Sequence, residues 1–363
     1  MERRGRVDKV LLLAAVAISC MGILFVHSAT WGQASSYGLI SGMALRQFFW
    51  VVAGFAGMFI MANIDYRKIV NYAYPAYFLS LAALVFLLIF GGERYGARRW
   101  LSLGPVSIQP SEFLKITVIL SLAYFLGERR EKRGSFGNFA GSVLIVAPGA
   151  LLIFLQPDLG TALVLVPILF ACLFIAGEKL RYMAVSIAAA FLSLPVFWGI
   201  LKDYQKTRLL VFINPDLDPL GAGYTIIQSK IAIGSGGLIG KGWLNGTQNY
   251  LRFLPERHTD FIFSVIGEEL GLIGALFVVT TFSVIVWRGL KIIASTKDVT
   301  ARVLSAGVIT LIAFQVFVNV SMTMGFMPVV GLPLPAISYG GSNTVATLVG
   351  IGFLLGVSRR AEI

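Results

Sequence analysis

The chain has 363 residues, of which 57% are hydrophobic and only 13% charged, and its mean hydropathy of +0.81 excludes an ordinary soluble globular domain. A net charge of +12 would suit nucleic acid, but the Lys and Arg residues punctuate long apolar runs instead of gathering on a soluble basic face, which excludes nucleic acid as a partner. The bilayer is the expected solvent.

Ten runs are long enough to cross about 30 Å of hydrocarbon. In chain order they centre on 9–28, 46–64, 72–91, 108–126, 139–155, 160–177, 182–201, 262–287, 302–322 and 336–357. The first follows a basic start, MERRGRVDK, but no small-residue cleavage site succeeds it, so it is read as a retained span. Cys20 and Cys172 lie inside apolar runs and are read as small hydrophobes. The fold class is therefore all-α and polytopic, one ten-span membrane domain over residues 1–363, with a long extramembrane loop of about 202–259 between spans seven and eight.

With ten spans both termini share a side. That side carries 18 Lys and Arg in its short segments, against four in loops 29–46 and 92–107, so the termini are assigned to the cytoplasm. The loop from Lys202 to Thr259 holds seven more but approaches the length that crosses regardless of charge, and it is placed outside.

The densest polar cluster is Phe253 to Asp260, FLPERHTD, just before the eighth span. Thr259 or Asp260 can cap that helix, or Asp260 can present a carboxylate at its outer mouth. From Asp260 to Trp287 is 28 residues, about 42 Å of helix and too long for the hydrocarbon core, so something must tilt, protrude or line a wet cavity. Glu268 and Glu269 fall in this stretch, where a carboxylate marks either a functional cavity or a buried pair.

A second cluster joins Arg98, Arg99 and Trp100 to QPSEFLK, with Pro110 opening a helix. Glu112 and Lys115 are three apart on one face, and either neutralise each other or leave Lys115 for a phosphate. Trp100 suits an interfacial belt as well as a site. Gln315 and Asn319 in the ninth span either line a cavity or lock helices together. GSGGLIGKG is no P-loop, since Ser235 replaces the first glycine and Gly242 the Ser or Thr. His258 lacks a second His or Cys nearby for zinc. No nucleotide, haem or zinc is expected.

GARRWLSLG, QPSEFLK, QPDLGTA, GYTIIQSKIAIGSGGLIGKG, FLPERHTDFIFSVIGEELG and GLPLPAISYGGSN resemble the SEDS family of shape, elongation, division and sporulation proteins, from the first span to the last. DYRK and FLPERHTDFIF are more similar to its elongation branch, RodA, than to its division branch, FtsW.

The resemblance implies a peptidoglycan glycosyltransferase that polymerises lipid II on the outer face of the bacterial cytoplasmic membrane, beside a class B penicillin-binding protein that crosslinks the growing glycan strand. It places the essential aspartate at Asp260, with Trp100, Glu112 and Lys115 around a central cavity. Chemistry adds cationic help for a departing diphosphate, with Lys115, Arg98, Arg99, Arg208 and Arg257 as candidates, and His258 and Glu268 as further cavity residues. Asp260 is then a general base or the ligand of a divalent cation, Mg or Mn. A lipid-linked sugar flippase and a scaffold for the penicillin-binding protein are the alternative function classes.

Overall fold

The computed structural model describes residues 7–31, 41–92, 99–103, 106–201, 203–214, 217–218 and 221–360. Helices dominate it: α1 (Lys9–Thr30), α2 (Gly42–Asn63), α3 (Tyr66–Val70), α4 (Ala73–Phe90), α5 (Pro110–Glu128), α6 (Phe136–Leu155), α7 (Leu159–Ala176), α8 (Leu180–Leu192), α9 (Leu194–Ile200), α10 (Asp203–Ile213), α11 (Ala222–Ser235), α12 (Thr247–Tyr250), α13 (Ile262–Ser295), α14 (Val299–Thr323) and α15 (Gly341–Ser358). Their starts follow local chemistry. Asp8, Ser41, Ser135, Asp158 and Asp298 each accept a first-turn amide of α1, α2, α6, α7 and α14, and Pro110 stands at the first turn of α5.

Among the described residues nine helices are long and apolar enough to cross a membrane, and they fall on nine of the ten expected runs. The remaining run, expected as one helix over 182–201, is two short apolar helices, α8 and α9. Pro195 lies at the second residue of α9, where its missing amide and its ring stop α8 from continuing. The chain is a multi-pass, all-α membrane protein.

The centre of the bundle is α5, α14 and α15, whose apolar windows are 72, 72 and 83% buried, against 22 to 28% for α2, α4 and α6. The outer helices turn their Leu, Val and Phe side chains outward, which is how a bundle meets lipid. The expected tenth span begins later than its apolar run, because Ala336 to Gly340 form an irregular turn before α15.

Two features were not expected. Residues before α5 form an antiparallel hairpin, β1 (Leu101–Leu103) with β2 (Val106–Ile108), in the register Leu101 opposite Ile108. The long loop, read from sequence as turns, contains α10, α11 and α12.

The excess length of α13 is resolved by a break. Gly271 has φ 63° and ψ −156°, so α13 is a short buried segment followed by a separate span. Breaking a helix orphans carbonyls on one side and amides on the other. The glycine segment after α11 satisfies both: Lys241 N and Gly242 N donate to the carbonyls of Glu268 and Glu269, while Leu272 N and Ile273 N donate to those of Gly237 and Leu238. Contact this close excludes side chains. A Cβ on Gly240, itself at φ 80°, would stand 2.2 Å from the Glu269 carbonyl oxygen. The glycines that imitate a phosphate loop are there to pair with a broken helix.

Candidate functional site

Asp260 lies in the turn between α12 and α13. The N-cap of α13 is Phe261, with no side-chain cap bond, so neither Thr259 nor Asp260 caps the helix. Thr259 Oγ1 turns back to the Glu256 carbonyl at 3.2 Å. The reason is tertiary: the backbone of 258–260 is held by distant groups, with Tyr339 N on His258 O at 2.8 Å, Ser338 Oγ on Thr259 O at 2.6 Å and Asn319 Nδ2 on Asp260 O at 2.9 Å.

The surroundings of the carboxylate are set by the loop between α14 and α15. Val329 O accepts from Arg208 Nη1 on α10 at 3.3 Å, Val330 O lies 2.5 Å from where a Cβ on Gly160 of α7 would be, and the corresponding Cβ on Gly331 would be 3.4 Å from Asp260 Oδ2. Three successive residues thus bring α10, the start of α7 and Asp260 together.

On the α7 side, Arg99 donates to the carbonyls of Gln156, at 3.2 Å, and of Pro157, and its Nη1 stands 3.9 Å from Asp158 Oδ1. Asp158 also accepts from Thr161 Oγ1 at 3.0 Å and from Gln109 Nε2 at 3.4 Å.

Asp260 is partly buried, and its pKa is pushed up from 3.8 to about 6, first by desolvation and next by the Glu256 carboxylate, with a smaller push from Asp158; Arg208 and Arg99 pull the other way. It is a carboxylate poised to exchange a proton near neutral pH, with two guanidinium groups close enough to feel its charge. Burial likewise lowers His258, whose ring lies 5.8 Å from that of Tyr339.

The other candidates divide by position. Trp100 is half-buried beside Arg99 at the base of the hairpin, and Arg98 lies outside the described residues. Lys115 is fully buried, with Nζ 2.7 Å from Glu112 Oε1, while Asn343 Nδ2 donates to Glu112 Oε2 at 3.0 Å. This is a closed, neutralised triad beneath Gln109, whose own amide donates to Ser342 Oγ at 2.9 Å.

Arg257 points inward, donating to Ala29 O and Asn249 O, each at 2.7 Å, and burial lowers its pKa. It ties α1 to the turn that carries Asp260. Glu268 accepts from Lys241 Nζ at 2.7 Å, Thr247 Oγ1 at 3.0 Å and Gln248 N at 3.1 Å, and Glu269 from Ser28 Oγ and Leu244 N. Both carboxylates anchor the glycine segment at the helix break.

Asp158, Glu256 and Ser338 were not singled out from sequence. Asp158 carried a usable signal, being the one acid in the short break between two apolar runs. Ser338 carried none, because its partner is 79 residues away. Among the described residues no group of three or more His, Cys, Asp or Glu is placed to hold a metal ion. A cation reaching Asp260 would take most of its ligands from phosphate oxygens and water, a usual arrangement for Mg2+.

The FTSW_RODA_SPOVE model, described as cell cycle protein, matches residues 8–363. The chain is 40% identical over 351 residues to peptidoglycan glycosyltransferase MrdB of Escherichia coli K12, covering 96% of this chain and 93% of the relative. It is also 40% identical over 363 residues to the probable peptidoglycan glycosyltransferase FtsW of Geobacter metallireducens, covering 98% and 96%. Among solved structures, one described as structural coordination of polymerization and crosslinking by a peptidoglycan synthase complex matches with a TM-score of 0.82 and 35% identity over 98% of both chains. The rod shape determining protein RodA of Thermus thermophilus matches with a TM-score of 0.73 and 30% identity over 98% of both.

Proposed function

Because the chain belongs to the FtsW, RodA and SpoVE family of cell cycle proteins and is a peptidoglycan glycosyltransferase, we propose that Asp260 is the general base that activates the acceptor sugar. The observation that carries this is the placement of one partly buried carboxyl, raised to about 6, within the field of Arg99 and Arg208. Above that pH it is ionised and able to accept a proton.

The step is a single displacement. Asp260 takes the proton of the 4-hydroxyl on the GlcNAc of an incoming lipid II; that oxygen bonds to the anomeric carbon of the growing strand, and the bond from that carbon to undecaprenyl diphosphate breaks. The electron pair leaves on the diphosphate, configuration inverts, and no second nucleophilic carboxylate is needed. Arg99 and Arg208 meet the negative charge that develops there. Asp260 would be the residue to hold a divalent cation, Mg2+ or Mn2+, which would supply further positive charge against the diphosphate; among the described residues no group of three or more His, Cys, Asp or Glu is placed to hold it. Lys115, neutralised by Glu112, shapes the floor beneath Gln109.

The excess of Lys and Arg on the side of the termini supports cytoplasmic termini and an outward-facing Asp260. The likeness to a chain of a peptidoglycan synthase complex supports a class B penicillin-binding protein as the crosslinking partner, and DYRK with FLPERHTDFIF supports service in elongation.

The test is purified protein with lipid II and divalent cation, with and without a class B penicillin-binding protein, resolved on a glycan-strand gel between pH 5 and 8. Polymer should form, fall away on the acid side with a midpoint near 6, and be lost in Asp260→Asn. Polymer at the parent rate from the Asn variant would sink the assignment of the base.

A further inference from the structure

The carbonyls of His258, Thr259 and Asp260 precede the helical ladder of α13, whose first bonds run to Phe261 O. A buried carbonyl without a partner is costly, so each must be met from elsewhere. Each is, by a group 59 to 81 residues away in sequence: Tyr339 N, Ser338 Oγ and Asn319 Nδ2. The first contributes only backbone. The other two are side chains, both with no solvent exposure.

Asn319 makes two bonds with one nitrogen, to Asp260 O at 2.9 Å and to Leu332 O at 2.8 Å. Two carbonyl acceptors require the amide nitrogen at that place, which fixes the orientation of the side chain. Leu332 follows Gly331, the residue that lies against Asp260 Oδ2. One amide therefore holds both the backbone from which the carboxylate projects and the loop it faces. Ser338 repeats the arrangement, since its oxygen donates to Thr259 O and accepts from Leu334 N at 2.8 Å.

We propose that Asn319 and Ser338 are positioning residues for glycosyl transfer, setting where the Asp260 carboxylate stands by gripping the main chain at and before it and the loop opposite. The proposal rests on the reading of Asp260 as the base. Neither side chain touches a reacting atom; both act through Asp260. A carboxylate released by about 1 Å loses about a hundred-fold in rate, while the sites that bind substrate are untouched. Its burial, the largest influence on its pKa, and its distances from Glu256, Arg208 and Arg99 change with it.

The experiment measures kcat, KM for lipid II and the pH dependence of polymerisation for Asn319→Leu, Ser338→Ala, Asp260→Asn and Gln315→Leu. Gln315 is buried on the same helix one turn away and controls for loss of a polar group from α14. Asn319→Leu and Ser338→Ala should lower kcat by about ten- to a hundred-fold, leave KM near the parent value and displace the acid midpoint, while Gln315→Leu stays near the parent rate. Losses confined to KM, an unmoved midpoint, or an Asn319→Leu no worse than Gln315→Leu would overturn the positioning role. Should Asn319→Leu fail to fold, Ser338→Ala decides by the same criteria. Retained rate in Asp260→Asn defeats the reading beneath the proposal; loss there with parent-like kinetics in the other two defeats only the proposal.

Discussion

Replacing Asp260 by Asn should make the protein more stable at neutral pH. A carboxyl whose pKa rises from 3.8 to about 6 on folding favours its protonated form in the folded state. The cost of holding it ionised is absent below about 3.8, grows as pH rises, and is complete above about 6. A shift of that size corresponds to at most about 3 kcal/mol, and because Asp260 keeps some contact with solvent we expect about 1–3 kcal/mol. Arg99 and Arg208 are already counted, since they pull the other way and are outweighed. Asn is close in shape and carries no charge, so Asp260→Asn should unfold about 1–4 °C higher than the parent at pH 7.5. The gap should close by pH 4. Thermal unfolding of the two purified proteins across this range measures it; a variant no more stable at pH 7.5, or a gain that persists unchanged at pH 4, would refute the account of a desolvated carboxylate. The same substitution is expected to abolish polymer, and the two outcomes together would show a site that trades stability for activity.

Two further perturbations test the scaffold. Lys115→Met leaves the Glu112 carboxylate buried with Asn343 Nδ2 as its remaining donor among the described residues, and should cost about 3–5 kcal/mol; adding Glu112→Gln should recover most of it, and a double variant no more stable than the single in thermal unfolding would contradict this. Gly240→Ala forces a Cβ to 2.2 Å from Glu269 O at φ 80°, about 1–2 kcal/mol of backbone strain besides the weakening of bonds worth about 1 kcal/mol each. Faster hydrogen exchange at Leu272 and Ile273 should accompany it, and unchanged exchange at both amides would show that the break does not depend on the glycine segment.

Most of the architecture was legible because a span announces itself in consecutive residues: Val10 to Val26 must be apolar whatever they touch. What escaped depends on partners far along the chain. Thr259 and Asp260 have the composition of a helix cap, yet the cap is absent, since Ser338 and Asn319 claim the backbone there. The glycines of 234–242 punctuate a loop in sequence, and only the broken helix shows what they pair with. Glu112 and Lys115 were readable as a pair by spacing, and the pair is present; Asn343 as its third member, 231 residues from Glu112, was not. Asp260 came into view through the resemblance of HTDF more than through spacing, which had left it open between cap and chemistry. The split of the seventh span had a local cause in Pro195, readable in principle but hidden by the even hydropathy of the run.

The pairing at Gly271 bears on how the protein can be cut and recombined. Residues 236–242 and both halves of α13 complete one another's hydrogen bonds across the break, and α12 and Lys241 are tied to Glu268. In a chimera between relatives these pieces make one inheritable block: a graft that exchanges the extramembrane loop but leaves the recipient's α13, or the reverse, matches a glycine strand to a break it did not evolve with, whereas a graft spanning 222–295 carries the joint intact.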